Sequence, residues 1–535
     1  MNRWGALALL LAFAGALALR CPRLDVRPLH NDEAINALKL TALWEKGQYT
    51  YDPDEFHGPT LYYSALPFVW LSSARDSAEL SETTMRLVPL AFGTGLILLL
   101  LLLADGLGLR ATVLAAIFFA ISPAMVYYSR YFIHEMLLVF FTMLTIAAGW
   151  RYWLTRQARW AVVTGLGLGL MFATKETFVL SVAAMGLSAL ATVCWNQWRL
   201  QRSAVTAGNQ SGSRMSAISL RPLIAACDWK HITLAGFAAT AVWLVLFTSF
   251  FSNWRGPVDS FLTYVPWLQR AGGDSPHIHP WFFYFERLAW FQKPKGPVWS
   301  EGFIVALAVV GMAVAFFSNR AILSHPTLAR FLTFYTMTLT GIYTVISYKT
   351  PWCLLNFLLG MILLAGIGAA ALFQLCRRNL TRVLVAAALV AGSIHLVWQA
   401  WRASQDYSAD RKNPYVYAHT SLDAFRLVER VEAIARFAPQ GQETVVKVMS
   451  PESYLPLPWY FRRFKNTGWW DGLPDDPYAP IIIVSAKLRA ALDEKSNKAY
   501  LMTGLYELRP GLFLELYVET GLWKQFVETL PRETE

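Results

Sequence analysis

The chain has 535 residues, 55% of them hydrophobic and only 16% charged, with a mean hydropathy of +0.35. That balance excludes an ordinary soluble protein and points to a polytopic membrane protein. The net charge of +11 could mean nucleic acid, but basic loops gathered on one side of a membrane give the same excess, and the loop pattern below favours that explanation, with no nucleic-acid partner. The five cysteines, Cys21, Cys194, Cys227, Cys353 and Cys376, show no metal-ligand spacing, so neither a zinc site nor a disulfide framework is expected.

The apolar run from Trp4 to Leu19 ends at Arg20-Cys21-Pro22, a poor cleavage site, and reads as an uncleaved first span. Further helices are expected near 86–104, 111–128, 132–150, 160–174, 177–195, 231–251, 302–318, 331–348, 352–375 and 383–401. Each approaches the ~20 residues a bilayer crossing needs, which makes about eleven spans. The transmembrane part is therefore 1–401, and 402–535 has the composition of a soluble domain.

Directly after the first span stands His30-Asn31-Asp32-Glu33, and a second acidic group follows in Asp52-Pro53-Asp54-Glu55-Phe56-His57-Gly58-Pro59. Pro53, Gly58 and Pro59 keep that backbone irregular. Acids gathered at a membrane surface suggest chemistry on a lipid-linked substrate. The segment 59–74 is too short and Pro-interrupted to cross; it is expected to lie in the interface with Tyr62, Tyr63 and Trp70 at headgroup depth.

One set of alternate loops is rich in Arg and Lys, including the long segment 196–230 with Arg199, Arg202, Arg214, Arg221 and Lys230. The other set, with the first loop 21–85, mixes both signs and holds the acidic clusters. Positive loops stay inside, so 196–230 is expected in the cytoplasm, and the acidic site and the tail outside the cytoplasmic membrane. Two short outward turns carry ionisable groups, Ser129-Arg130 through His134-Glu135 and Thr174-Lys175-Glu176. Charges there must pair or face a wet cavity, and Arg130 with Glu135 and Lys175 with Glu176 are the expected pairs. A further outward turn holds Lys349, a candidate point charge for a phosphate, and Trp352, placed in the aromatic belt or against a sugar ring. His277 and His279 alternate as metal ligands on a strand do, but with no third ligand of known geometry nearby a plain polar loop is the preferred reading.

In the tail, 421–438 has helical periodicity with Ser421 as N-cap, and 444–449 and 481–484 read as strands, the second apolar enough to be a buried parallel strand. A small α/β domain follows. Asn413-Pro414-Tyr415-Val416-Tyr417-Ala418-His419-Thr420 and Pro456-Leu457-Pro458-Trp459-Tyr460-Phe461-Arg462-Arg463 are aromatic and rigid, as either a sugar-binding rim or a domain-to-membrane contact would be.

The outward Asp-Glu pair, the interfacial helix after a Gly-Pro turn, Arg86-Leu87-Val88-Pro89 and the stretch Ser129 to Glu135 together resemble the GT-C glycosyltransferases, in the branch of the protein O-mannosyltransferases and aminoarabinose transferases. Within that branch, His30-Asn31-Asp32-Glu33-Ala34, His57-Gly58-Pro59, the 413–420 stretch and Leu457-Pro458-Trp459-Tyr460 are similar to the archaeal and bacterial flippase-activity-associated proteins of N-glycosylation. The resemblance implies a fold of membrane helices plus a soluble domain and a polyprenyl-phosphate sugar as donor. It implies transfer on the outer face to a glycan, lipid or protein acceptor, with an acidic residue of the first loop as base or metal ligand, which leaves a divalent cation open as cofactor. Carried over, Asp32 matches the first-loop acid, and Glu135 stands where the mannosyltransferases have Asp.

The chemistry also follows from the residues. Inverting transfer from a lipid phosphate needs a base and a cation for the departing phosphate. Asp32 or Glu33 can supply the first, with Glu135 as a further acid, and Arg130, Lys175 and Lys349 the second. His30, Glu55, His57, His134, Trp352, Tyr415 and His419 complete the candidate substrate contacts. The alternative is a non-catalytic flippase, or flippase-associated protein, for lipid-linked oligosaccharides. Such a protein should carry polar groups through the midplane, whereas stretches such as 96–103 and 363–372 are almost wholly apolar.

Overall fold

A computed structural model describes residues 3–47, 49–54, 57–206, 228–272, 275–317 and 323–530. Glu55 and most of the 196–230 loop lie outside the described residues. In chain order the first helices are α1 (Arg3–Arg20), α2 (Asn31–Lys46), α3 (Thr60–Leu71), α4 (Glu82–Leu107), α5 (Leu109–Ile121), α6 (Pro123–Tyr128), α7 (Glu135–Thr155), α8 (Ala158–Phe172) and α9 (Phe178–Thr206). Later helices include Trp229–Phe247, Gly302–Phe317, Pro326–Val345, Leu355–Leu375 and Asn379–Ser404.

Among the described residues, 7 helices are long and apolar enough to cross a membrane, and the chain is a multi-pass membrane protein. The other expected spans are also helical, but shorter or less apolar. The expected helix 111–128 is broken at Ser122, with Pro123 opening α6, because proline removes a backbone donor and clashes with the preceding turn. Helix Thr60–Leu71 forms as expected, and Trp70 is exposed. Tyr62 is not at its surface: it is fully buried, its ring 5.0 Å from Tyr49 and 5.6 Å from His134.

The chain divides into two compact units. The first comprises Met1–Arg23, Gln48–Ala65 and Arg86–Asp406. Its centre is Leu355–Leu375, buried along almost its whole length. Small residues allow neighbouring backbones to approach it: a Cβ added at Gly368 would lie 2.1 Å from the Leu307 carbonyl oxygen, the close helix contact that small residues permit in membranes.

The second unit comprises Leu24–Gly47, Leu66–Met85 and Tyr407–Glu535. It contains a sheet of β1 (Val446–Met449), β2 (Thr467–Trp470), β3 (Ile481–Ser485), β4 (Tyr500–Arg509) and β5 (Leu512–Glu519), in the order β2-β1-β3-β5-β4. Strand β3 is wholly buried and parallel to β1, as its apolar run predicts, but it is antiparallel to β5 on its other side. Helix Asp423–Ala435 buries Leu427, Val428, Val431 and Ile434. It begins later than expected, although Ser421 Oγ still accepts the Asp423 N–H at 3.3 Å.

Candidate active site

In the second unit, the first loop enters α2 through a reciprocal cap. His30 Nδ1 accepts the Asp32 N–H at 3.1 Å, and Glu33 Oε2 accepts the His30 N–H at 3.1 Å. The other ring nitrogen, Nε2, lies 3.1 Å from the Tyr417 carbonyl oxygen and donates to it. His30 is thereby held as the neutral tautomer with its proton on Nε2. Burial pushes its pKa below the ordinary 6.5, and the acids beside it, Asp32 and Glu33, only partly offset this.

The cap separates the two neighbouring acids. Glu33 is fully buried, 3.6 Å from Arg27 Nη2, and its carboxylate is committed to the helix end. Asp32, one residue earlier, keeps 46% of its side-chain surface open.

Three of the sequence motifs meet around this cap. Leu29 donates its N–H to Tyr460 Oη at 2.9 Å and accepts from Thr420 Oγ1 at 2.7 Å. The His419 ring lies 5.0 Å from that of His30, and His419 Nδ1 accepts the Tyr417 N–H at 2.9 Å. Tyr415, His419 and Trp459 are buried, and Trp459 Nε1 donates to Glu82 Oε1 at 2.8 Å. These aromatics, read from sequence as either a rim or a domain-to-membrane contact, pack inside the unit and hold the first-loop segment, with the Trp459 and Tyr460 tips hydrogen-bonded there.

In the first unit, the expected ion pairs are exchanged. Lys175 pairs with Glu135, both almost fully buried, and Glu176 pairs with His57, Oε2 to Nδ1 at 2.7 Å. Arg130 does not meet Glu135: its guanidinium donates to the carbonyls of Arg20 at 2.9 Å, Pro22 at 2.6 Å and Arg23 at 2.7 Å. The backbone of 57–60 runs directly along the turn after α8. Gly58 donates to Thr174 O, Thr60 donates to Ala173 O, and His134 Nε2 donates to Gly58 O, each at 3.0 Å. A Cβ at Gly58 would stand 2.1 Å from the Ala173 carbonyl oxygen, so the His57-Gly58-Pro59 motif needs its glycine.

Glu176 is further tied by Tyr51, whose hydroxyl donates to Oε1 at 3.4 Å, and by Tyr264, which donates to its carbonyl at 3.2 Å. Burial pushes the Glu176 carboxyl up, but the His57 ring, a backbone N–H and Lys175 together outweigh it and hold the pKa below the usual carboxylate value. The two tyrosines escape sequence reading because tyrosine is abundant here and neither stands in a motif.

Lys349 is buried, its Nζ donating to the Ile346 carbonyl and lying 3.5 Å from the His279 carbonyl. Residues 277–279 pair with 347–349 through an antiparallel bridge at Ile278 and Tyr348. Burial, together with Arg287, His277 and Lys349 nearby, pushes His279 down to about 4. Trp352 is buried with its ring 6.0 Å from Tyr131, so it packs against the 129–134 turn and does not join an aromatic belt. Among the described residues, no group of three or more His, Cys, Asp or Glu side chains could hold a metal ion.

Sequence reading also missed Arg20 and Glu301, both fully buried. The available signal was a charge at the end of an apolar helix, which must be paired when it sits at membrane depth.

The family model for dolichyl-phosphate-mannose-protein mannosyltransferase matches residues 61–253, a stretch that contains Arg130, Glu135 and Lys175 but neither the Asp32 loop nor the tail. Comparison with curated proteins gives no match. Among solved structures, ArnT from Cupriavidus metallidurans in the apo state is similar with a TM-score of 0.58 at 12% identity, over 96% of this chain and 97% of that one. The same protein bound to undecaprenyl phosphate gives 0.57 at 14%, over 97% and 98%. The archaeal oligosaccharyltransferase AglB from Archaeoglobus fulgidus, in complex with an inhibitory peptide and a dolichol-phosphate, gives 0.53 at 13%, over 91% and 70%. The chain thus shares the fold of these membrane glycosyltransferases along nearly all of its length, and the mannosyltransferase model matches within it.

Proposed function

We propose that the chain transfers a sugar from a polyprenyl-phosphate-linked donor to an acceptor on the outer face of the cytoplasmic membrane, with inversion at the anomeric carbon. The observation that carries this is the buried Glu135–Lys175 pair inside the stretch matched by the mannosyltransferase model. The lipid phosphates named for two of the similar structures support the donor class. The loop charges support the outer face.

In the proposed reaction the acceptor nucleophile attacks the anomeric carbon, the bond from that carbon to the phosphate oxygen breaks, and the polyprenyl phosphate departs with the electron pair. The acceptor's proton goes to a carboxylate. Asp32 takes that role because its carboxylate is open whereas that of Glu33 is committed to the helix cap. Lys349, which donates to backbone carbonyls of Ile346 and His279, is assigned to the departing phosphate as a point charge. Glu135 and Lys175 act as a pre-oriented pair, with His57 and His134 as neighbouring substrate contacts.

Mass spectrometry of the purified protein with its co-purifying lipid tests the donor class. A polyprenyl-phosphate sugar is the expected mass. Recovery of bulk phospholipid alone, from protein that retains its fold, would count against the proposal.

A further inference from the structure

The break between α5 and α6 strands backbone groups that a continuous helix would satisfy, and two buried charges meet them. On the carbonyl side, Arg20 Nη2 donates to Phe119 O at 2.7 Å and Nη1 to Ala120 O at 2.8 Å, while Nε reaches Ser129 Oγ at 3.1 Å. On the amide side, Glu301 Oε1 accepts the Ala124 N–H at 2.8 Å and Oε2 accepts the Ser122 hydroxyl at 2.6 Å. A cation thus faces the C-terminal end of α5 and an anion the N-terminal end of α6, as the helix dipoles favour.

Burying a full charge is costly unless its hydrogen-bonding capacity is met, and both side chains are 0% exposed. The turn that follows is captured in return, since Arg130 donates to the Arg20 carbonyl at 2.9 Å. We infer that Arg20 and Glu301 are positioning residues: they bracket the helix break and so set where the 129–134 turn delivers Glu135 to Lys175. The catalytic half of this inference rests on the proposed transfer reaction.

The test uses the full-length protein in nanodiscs with Glu301→Gln and Arg20→Lys, and Ser122→Ala as the mildest change should either fail to fold. Hydrogen exchange of amides 129–135 should speed up by about tenfold or more while that of 82–107 holds. With undecaprenyl-phosphate mannose as probe donor, kcat should fall by up to about a hundredfold while the donor KM stays within about threefold. Glu301→Gln, which retains one acceptor, should keep more activity than Glu301→Leu. Unchanged exchange overturns the inference, and so does faster exchange with unchanged kcat. If the wild type transfers nothing from this donor, mannose is excluded as the sugar, and the exchange measurement alone decides whether the bracket positions the turn.

Discussion

Glu135 and Lys175 stand 40 residues apart in the chain, at the start of α7 and just after α8, yet their side chains form one almost fully buried ion pair. Truncating one partner leaves the other as an uncompensated buried charge. Lys175→Met should therefore cost about 3–5 kcal/mol of stability, and the double variant Glu135→Gln/Lys175→Met should recover most of it. Unfolding in detergent measures both, and a double variant no more stable than the single one would show that the pair is not energetically coupled.

The acidic limb of the stability profile should carry the signature of His30. Its folded pKa lies below the unfolded value of 6.5, so between those two values the unfolded chain binds more protons. Stability from this group is complete above about pH 6.5 and is lost as pH falls through the folded pKa. His30→Asn keeps a good N-cap residue without the titration. A pH series of unfolding midpoints should show a flatter acidic limb for that variant, and parallel limbs would contradict the assignment.

Arg130 and Lys349, alike as candidate phosphate ligands in the sequence, should separate in kinetics. Lys349→Ala should raise the apparent donor KM if its contact is uniform, or lower kcat if the contact strengthens in the transition state. Arg130→Ala strands three carbonyls and should chiefly lower the unfolding midpoint. Unchanged kinetics in Lys349→Ala would remove that residue from the donor site.

How far the sequence could be read divides along physical lines. The apolar helices were legible because a bilayer imposes length and composition on each span separately, and strand β3 because four consecutive apolar β-branched residues, Ile481 to Val484, have few other uses. Charge partners were not, since Lys175 has Glu176 beside it in sequence but meets Glu135 in space. The tail aromatics stayed open between two readings for the same reason: nothing local shows that Leu29, 431 positions away, uses the Tyr460 hydroxyl. Nor could adjacency distinguish Asp32 from Glu33, whose roles separate only through the His30 cap.

The proposed topology, read from loop charges, has the tail on the same side of the membrane as the Asp32 loop. A single cysteine at exposed Glu494, with the native cysteines replaced, should react with a membrane-impermeant maleimide in intact cells. Labelling only after lysis would put the tail in the cytoplasm and remove the proposed outward transfer.

The most direct measurement follows label from a polyprenyl-phosphate sugar into acceptor, comparing wild type with Asp32→Asn and Glu33→Gln in the same membranes. Asp32→Asn should fold and retain donor lipid yet lose transfer by about 10²–10⁴-fold, as the loss of a general base does. Glu33→Gln should chiefly lower the unfolding midpoint. Wild-type transfer rates from folded Asp32→Asn would contradict the account at its centre.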